Sequence, residues 1–267
     1  MKILSDFDGV FTDPTAEAAS VAAVLDELVG DPALVERVRA DVRAHPERHG
    51  WRFGGAITSY ADEDLYVFHN AVAVAVWSAA TPAVLERLRV AGFTDESAFV
   101  VHCFLEGTTR FGARGATNVL PEALDAAAAL AGRGHELVIA SNSDTARIER
   151  LLRGAGWKEG SIRLRGGAGK FVLGDEPASV PEIAKFGPRE IRLRRPRYFA
   201  LLEEERPDVV IGDVLALDLA LPWFLKRSRC VLKRSAATPA WSVGACERAG
   251  IERVDSISEL PRLLGRA

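Results

Sequence analysis

The chain opens on a short apolar run, Ile3 and Leu4, which gives way to Asp6 and Asp8 flanking Phe7 and then to Gly9. Alternate residues of a strand share a face, so this spacing predicts a strand that carries Asp6 and Asp8 out into one crevice. From Pro14 the period changes to that of a helix. Val21, Val24, Leu25 and Leu28 predict one helix and Leu34, Val35, Val38 and Val42 a second, separated by Gly30-Asp31-Pro32. Gly50 to Gly55 reads as a loop. A third helix is predicted from about Tyr60, with the acidic run Asp62-Glu63-Asp64 in its first turn. Its continuation, Leu65 to Trp77, is apolar almost all round and predicts burial. Pro82 to Val90 predicts a fourth helix, and Gly107 to Thr117 reads as a linker.

Beyond that linker, strand and helix alternate. Pro121 to Ala131 predicts a helix, Leu137 to Ala140 a buried strand, and Asp144 to Arg153 another helix. Ser161 to Leu164 predicts a short strand before Gly166-Gly167-Ala168-Gly169-Lys170. Phe171 to Leu173 and Ile191 to Leu193 are expected to pair as a hairpin. A helix from about Arg197, the strand Val209 to Ile211 and a last strand-helix unit from Cys230 to Ala249 complete the pattern. Such alternation predicts an α/β fold: a doubly wound, mainly parallel Rossmann-like sheet with helices on both faces. Residues 1–14 and 112–267 form its core, and 15–111 a mostly helical insert.

Composition narrows the class. Of 267 residues, 48% are hydrophobic, enough for a proper core, and the net charge of -3 supplies no general attraction to nucleic acid or an anionic membrane. The basic stretch from Arg163 to Arg197 is diluted by Asp175, Glu176, Glu182 and Glu190, and reads as a solvated face. Cys103, Cys230 and Cys246 have no metal-site or disulfide spacing and read as free thiols. His69 and His102 lack ligand spacing as well, so zinc is not expected. Met1 leads straight into a strand, and the longest apolar run, Ala71 to Trp77, is too short to span a bilayer. A cytoplasmic, soluble protein is the expectation.

The candidate chemistry lies at three strand ends. The first ends in two carboxylates, the second in Ser141-Asn142-Ser143, and the third in Gly212-Asp213, with Asp218 following. In a parallel sheet these ends share one edge, where open α/β sheets bind ligands. Asp6 and Asp213, from separate strands, suit a hard divalent cation such as Mg²⁺. The plain alternatives are solvated acidic turns and, for Ser141, a helix N-cap. Thr12 and Asp13 fit a turn equally well. Tyr60, Asp62, Glu63, Tyr66, His69 and Asn70 are candidates for lining a substrate pocket, against an ordinary helix with one wet face.

These motifs resemble the haloacid dehalogenase-like hydrolase superfamily. Asp6-Phe7-Asp8-Gly9-Val10-Phe11-Thr12-Asp13 is similar to its first motif, Ala140-Ser141-Asn142-Ser143 to its second, and Gly212-Asp213 with Asp218 to its fourth. The helical insert falls where many members carry a cap domain. The resemblance implies a Mg²⁺-dependent phosphatase acting on a small phosphorylated metabolite. Asp6 is then the nucleophile that becomes an aspartyl-phosphate, and Asp8 the acid and base. Asp6, the backbone carbonyl of Asp8 and Asp213 hold the metal, with Asp218 either a ligand through water or an acceptor behind it. Ser141 and Asn142 serve the phosphoryl group. The third motif departs from the family pattern, because Arg195-Pro196 stands where Lys-Pro is usual. Lys170 is the preferred cation, for substrate and catalysis alike, with Lys185, Arg194 and Arg195 as alternatives. A phosphomutase, a C–halogen hydrolase and a non-catalytic phospholigand sensor remain compatible with the same motifs. Neither the substrate nor the oligomeric state is readable.

Overall fold

The computed structural model describes residues 1–158 and 160–265. In chain order, β1 (Lys2–Ser5) leads to α1 (Thr15–Val29) and α2 (Pro32–Ala44), then to a hairpin of β2 (Gly50–Phe53) and β3 (Ala56–Tyr60). Helices α3 (Leu65–Ala79), α4 (Pro82–Val90) and α5 (Glu96–Ala113) follow, then α6 (Pro121–Gly132), β4 (Glu136–Ala140), α7 (Thr145–Gly154) and β5 (Arg163–Arg165). A second hairpin, β6 (Ile183–Phe186) with β7 (Arg189–Arg192), precedes α8 (Pro196–Glu205) and β8 (Val209–Gly212). The chain closes through α9 (Ala220–Leu225), β9 (Arg229–Lys233), α10 (Ala240–Ala249), β10 (Glu252–Val254) and α11 (Leu260–Leu264).

Six strands form one parallel sheet in the order β10-β9-β8-β1-β4-β5, which is the expected α/β fold. β1 lies at its centre: Ser5 is in register with Ile139 of β4 on one side and Ile211 of β8 on the other. The chain therefore departs from β1 towards opposite edges, and such a reversal is where a doubly wound sheet opens a crevice at its carboxyl ends. Leu4, Val138, Val210 and Leu232 turn to one face and join a core with Leu193, Tyr198, Leu215 and Leu219.

The chain divides into two compact units. One comprises Met1–Asp13, Arg52–Ser59 and Thr117–Ala267, and the other Pro14–Trp51 and Tyr60–Ala116. The second unit has its own core of Leu25, Val35, Val42, Val72, Val76, Leu88 and Phe99. Gly107 is not in a linker but inside α5, where a Cβ would stand 2.5 Å from Val21 Cα in α1. Glycine there permits the helix contact. Residues 50–60 form a hairpin rather than a loop, and α3 begins later than Tyr60, capped by Asp64, whose carboxylate accepts from Tyr66 and Val67 N–H. The second hairpin uses residues 183–192 in place of the expected partners Phe171 to Leu173. The three cysteines are free and buried. Among the described residues no single helix is long and apolar enough to cross a membrane.

Candidate active site

Asp6 leaves β1 with its N–H still donating to Ile211 O (2.8 Å). The chain then turns: Phe11 N–H donates to Phe7 O (2.8 Å) and Gly9 N–H to Thr12 Oγ1 (3.1 Å). Thr12 thus acts as a turn former. Gly9 has φ 76°, and a Cβ on it would lie 1.9 Å from Asp213 Oδ2, so the loop meets the end of β8 only because this residue is glycine. At the end of β8, a Cβ on Gly212 would stand 2.2 Å from Asp218 Cβ. A single π turn, Leu215–Leu219, brings Asp218 back to the strand end, and Val214 N–H donates to its Oδ2 (3.0 Å). Such π turns concentrate at functional sites.

Lys170 reaches this place from the glycine-containing loop after β5. Its Nζ donates to Asp6 Oδ1 (2.7 Å) and to Asp218 Oδ1 (2.8 Å), and lies 5.7 Å from the centre of the Tyr198 ring. Two contacts fix the loop and a third fixes the π turn beside it. Asn142 Oδ1 accepts from Lys170 N–H (2.8 Å), the wholly buried Arg195 donates to Lys170 O, and Tyr198 Oη donates to Asp218 O (2.8 Å). Asn142 therefore orients the lysine loop. Among the other candidate cations, Lys185 lies in β6 opposite Glu190, Arg194 donates to Val180 O, and Arg195 also donates to Thr58 O and Arg192 O.

Burial raises the carboxyl of Asp6 to about 7, the charges of Asp218 and Asp8 add to the effect, and Lys170 opposes it. For Lys170 burial disfavours the charge, but Asp218 and Asp6 outweigh it and hold the ammonium protonated above its ordinary range. Asp6, Asp213 and Asp218 each offer an oxygen, and the three lie within 4.8 Å of one another. Three carboxylates around one ammonium leave an excess of negative charge. An all-oxygen donor set of this kind fits Mg²⁺.

Ser141 begins the turn after β4, and Asp8 meets that turn at Ser143. Ser141 is buried, and its Oγ accepts from Ser143 N–H (3.1 Å). It is not the cap of α7, because Asp144 fills that role, accepting from Arg147 N–H (2.8 Å). Asp8 is gripped by Ser143, named in the sequence only as part of the second strand end, and by Arg147, which the sequence did not single out. Ser143 Oγ donates to its Oδ2 (2.9 Å), and Arg147 forks onto both carboxylate oxygens, each contact 3.1 Å.

In the other unit, three of the pocket candidates, Tyr60, Glu63 and Tyr66, make hydrogen bonds within the unit. Tyr66 Oη donates to Glu17 Oε2 (2.8 Å), and Glu63 accepts from Tyr60 N–H (2.9 Å). Burial, helped by Arg39 and Arg43, lowers His69 to about 4 and keeps its ring neutral.

No protein-family model and no curated protein matches the sequence. Solved structures do. A hydrolase from Pseudomonas syringae aligns over 100% of this chain and 99% of its own, with TM-score 0.54 and 17% identity. The HAD-hydrolase YfnB from Bacillus subtilis, bound to magnesium, aligns over 99% and 98%, with TM-score 0.52 and 15% identity. A haloacid dehalogenase-like family hydrolase from Xanthomonas campestris aligns over 99% and 90%, with TM-score 0.52 and 13% identity. The chain has the fold of the haloacid dehalogenase-like hydrolases, Rossmann-like core and helical insert included.

Proposed function

We propose that this protein is a Mg²⁺-dependent phosphatase that hydrolyses a small phosphomonoester through an aspartyl-phosphate on Asp6. The observation that carries this reading is the double contact of Lys170 with Asp6 and Asp218, beside an oxygen-only ligand set. An ammonium fixed at one carboxylate, in a cluster that still carries excess negative charge, suits an anionic substrate that arrives with a divalent cation.

Asp6, Asp213 and the backbone carbonyl of Asp8 would hold Mg²⁺. When bound, the ion neutralises phosphoryl charge and aligns the group for displacement. Asp6 attacks phosphorus while the ester oxygen departs with a proton from Asp8. Asp8 then takes a proton from water, which attacks phosphorus and frees Asp6 and inorganic phosphate. Lys170 balances charge at Asp6 throughout. Asp218 orients Lys170 and would serve the ion either through water or from behind the direct ligands. Ser141 offers its hydroxyl to the phosphoryl group, and Asn142 holds the loop that carries Lys170. Asp8 separates this reading from C–halogen hydrolysis, which calls for no leaving-group proton.

The test is phosphate release from a panel of small phosphomonoesters, with Mg²⁺ and with chelator, for the wild type and for Asp6→Asn. Release that requires Mg²⁺ and is lost in the variant supports the phosphatase. Metal-independent halide release from a 2-haloacid, without phosphate release, would replace it with the dehalogenase.

A further inference from the structure

We propose that Arg195 is a positioning residue that ties the β2–β3 hairpin to the loop of Lys170 and so keeps the ammonium on Asp6. The hairpin thereby becomes part of the catalytic apparatus. For its effect on turnover, this rests on the phosphatase reading above.

The loop that delivers Lys170 needs restraint from its surroundings. Gly166, Gly167 and Gly169 precede the lysine, and glycine leaves a free chain more conformations to lose than any other residue. Val172 N–H closes a turn on Gly169 O (3.0 Å), with Lys170 and Phe171 at its two corners. Asn142 Oδ1 accepts from the N–H of Lys170 (2.8 Å), and Arg195 Nη1 donates to its carbonyl. The peptide groups on both sides of the lysine are thus anchored, one by each residue.

Arg195 reaches two more segments. Its Nη2 donates to Thr58 O in β3 (2.7 Å), and its Nε to Arg192 O at the end of β7 (3.0 Å). A guanidinium is a rigid planar fork, so three carbonyls bonded to its three nitrogens are fixed relative to one another. Arg195 is wholly buried, and a carbonyl that lost its donor there would be left desolvated at a cost. The arginine is itself held, because it precedes Pro196, which begins α8. One turn further on, Tyr198 donates to Asp218 O and sets its ring 5.7 Å from Lys170 Nζ. The start of α8 therefore grips the lysine at its backbone and at its ammonium. The hairpin meets the same turn a second time, with the Phe53 ring 6.4 Å from that of Phe171. Both hairpin contacts come from residues 52–59, which group with the sheet unit. A shift of these residues reaches both corners of the turn that carries Lys170.

The experiment reads Lys170 directly, by acetylating amines with N-hydroxysuccinimidyl acetate and following each lysine by peptide mass analysis. Lys233, also buried, is the internal control for general loosening. The proteins are the wild type, Arg195→Gln, Arg195→Lys and Phe53→Ala. Each is checked by thermal melt and assayed for kcat and KM on a phosphomonoester that the wild type hydrolyses. In Arg195→Gln, acetylation of Lys170 should quicken by about tenfold or more as the loop opens locally, while that of Lys233 stays within about twofold. Its kcat should fall by about tenfold or more with KM within about threefold, the signature of a misplaced charge. Arg195→Lys keeps the charge but not the fork, so it should resemble Arg195→Gln. Phe53→Ala removes the second hairpin contact at an exposed position, and should quicken acetylation of Lys170 by about threefold without moving Lys233. That variant decides the matter should the Arg195 variants fail to fold. Lys170 rates that merely follow those of Lys233, full recovery in Arg195→Lys, or an unchanged Lys170 rate in Phe53→Ala overturns the proposal. A wild type that hydrolyses no ester defeats the phosphatase reading. The acetylation rates, measured without substrate, then still decide whether Arg195 and the hairpin hold Lys170.

Discussion

At the scale of single residues, the charge balance at Asp6 depends on a buried lysine. Lys170 is 2% exposed and is the direct counter-charge to Asp6 and Asp218. Removing one partner from a buried ion pair leaves its mate charged and unsolvated, at a cost of about 3–5 kcal/mol. Lys170→Met should therefore lower the urea-unfolding free energy by about that amount, besides abolishing activity. Adding Asp218→Asn to it should recover part of the loss, because the two residues share one interaction. Two destabilisations that simply add would contradict this account. Asp8 and Asp213 were legible in the sequence because each stands beside a glycine at the end of an apolar run, and Asp6 and Asp218 because they stand at short spacing from them. Lys170 was legible for a related reason, as the charge that ends a glycine-containing loop. Arg147 was not. Its partner Asp8 is 139 residues away, and nothing in the helix around it marks it off from the other arginines.

At the scale of elements, close approach explains both the glycines and the misread segments. Gly107 looks like part of a linker, yet it lies where α1 crosses α5, and a Cβ would stand 2.5 Å from Val21 Cα and 2.8 Å from its nitrogen. Backbone atoms cannot swing aside, so Gly107→Ala should destabilise by about 1–3 kcal/mol through overpacking. Helix propensity alone favours alanine there by about 1 kcal/mol, so the predicted sign is opposite to propensity. Gly132→Ala in α6, where nothing lies within 4 Å, serves as the control and should lose no stability. Equal melting temperatures for both variants would remove close packing as the reason for Gly107. The hairpin of β2 and β3 did carry a signal, Gly54-Gly55 between Phe53 and Ala56, which is a turn pair flanked by residues suited to strands. The signal is weak because neither Gly50–Phe53 nor Ala56–Tyr60 alternates apolar and polar residues throughout or forms an unbroken apolar run. β10, at three residues, is too short for a periodicity to register at all.

At the scale of the whole molecule, the order β10-β9-β8-β1-β4-β5 sets β1 between strands that come much later in the chain, and this arrangement turns separate motifs into one site. Strand order is a property of long-range pairing, so apolar periodicity predicted a parallel sheet without its sequence of strands. Residues 52–59 group with the sheet unit, and such a grouping rests on long-range contacts that apolar periodicity does not report. The central claim is that Asp6 carries phosphate during turnover, and the most direct measurement is an acid quench of the Mg²⁺-loaded protein in mid-turnover, followed by peptide mass analysis. The account predicts phosphate on the peptide containing Asp6, absent after chase and absent in Asp6→Asn. Steady phosphate release with an Asp6 peptide that never carries phosphate, or release undiminished in Asp6→Asn, would contradict it.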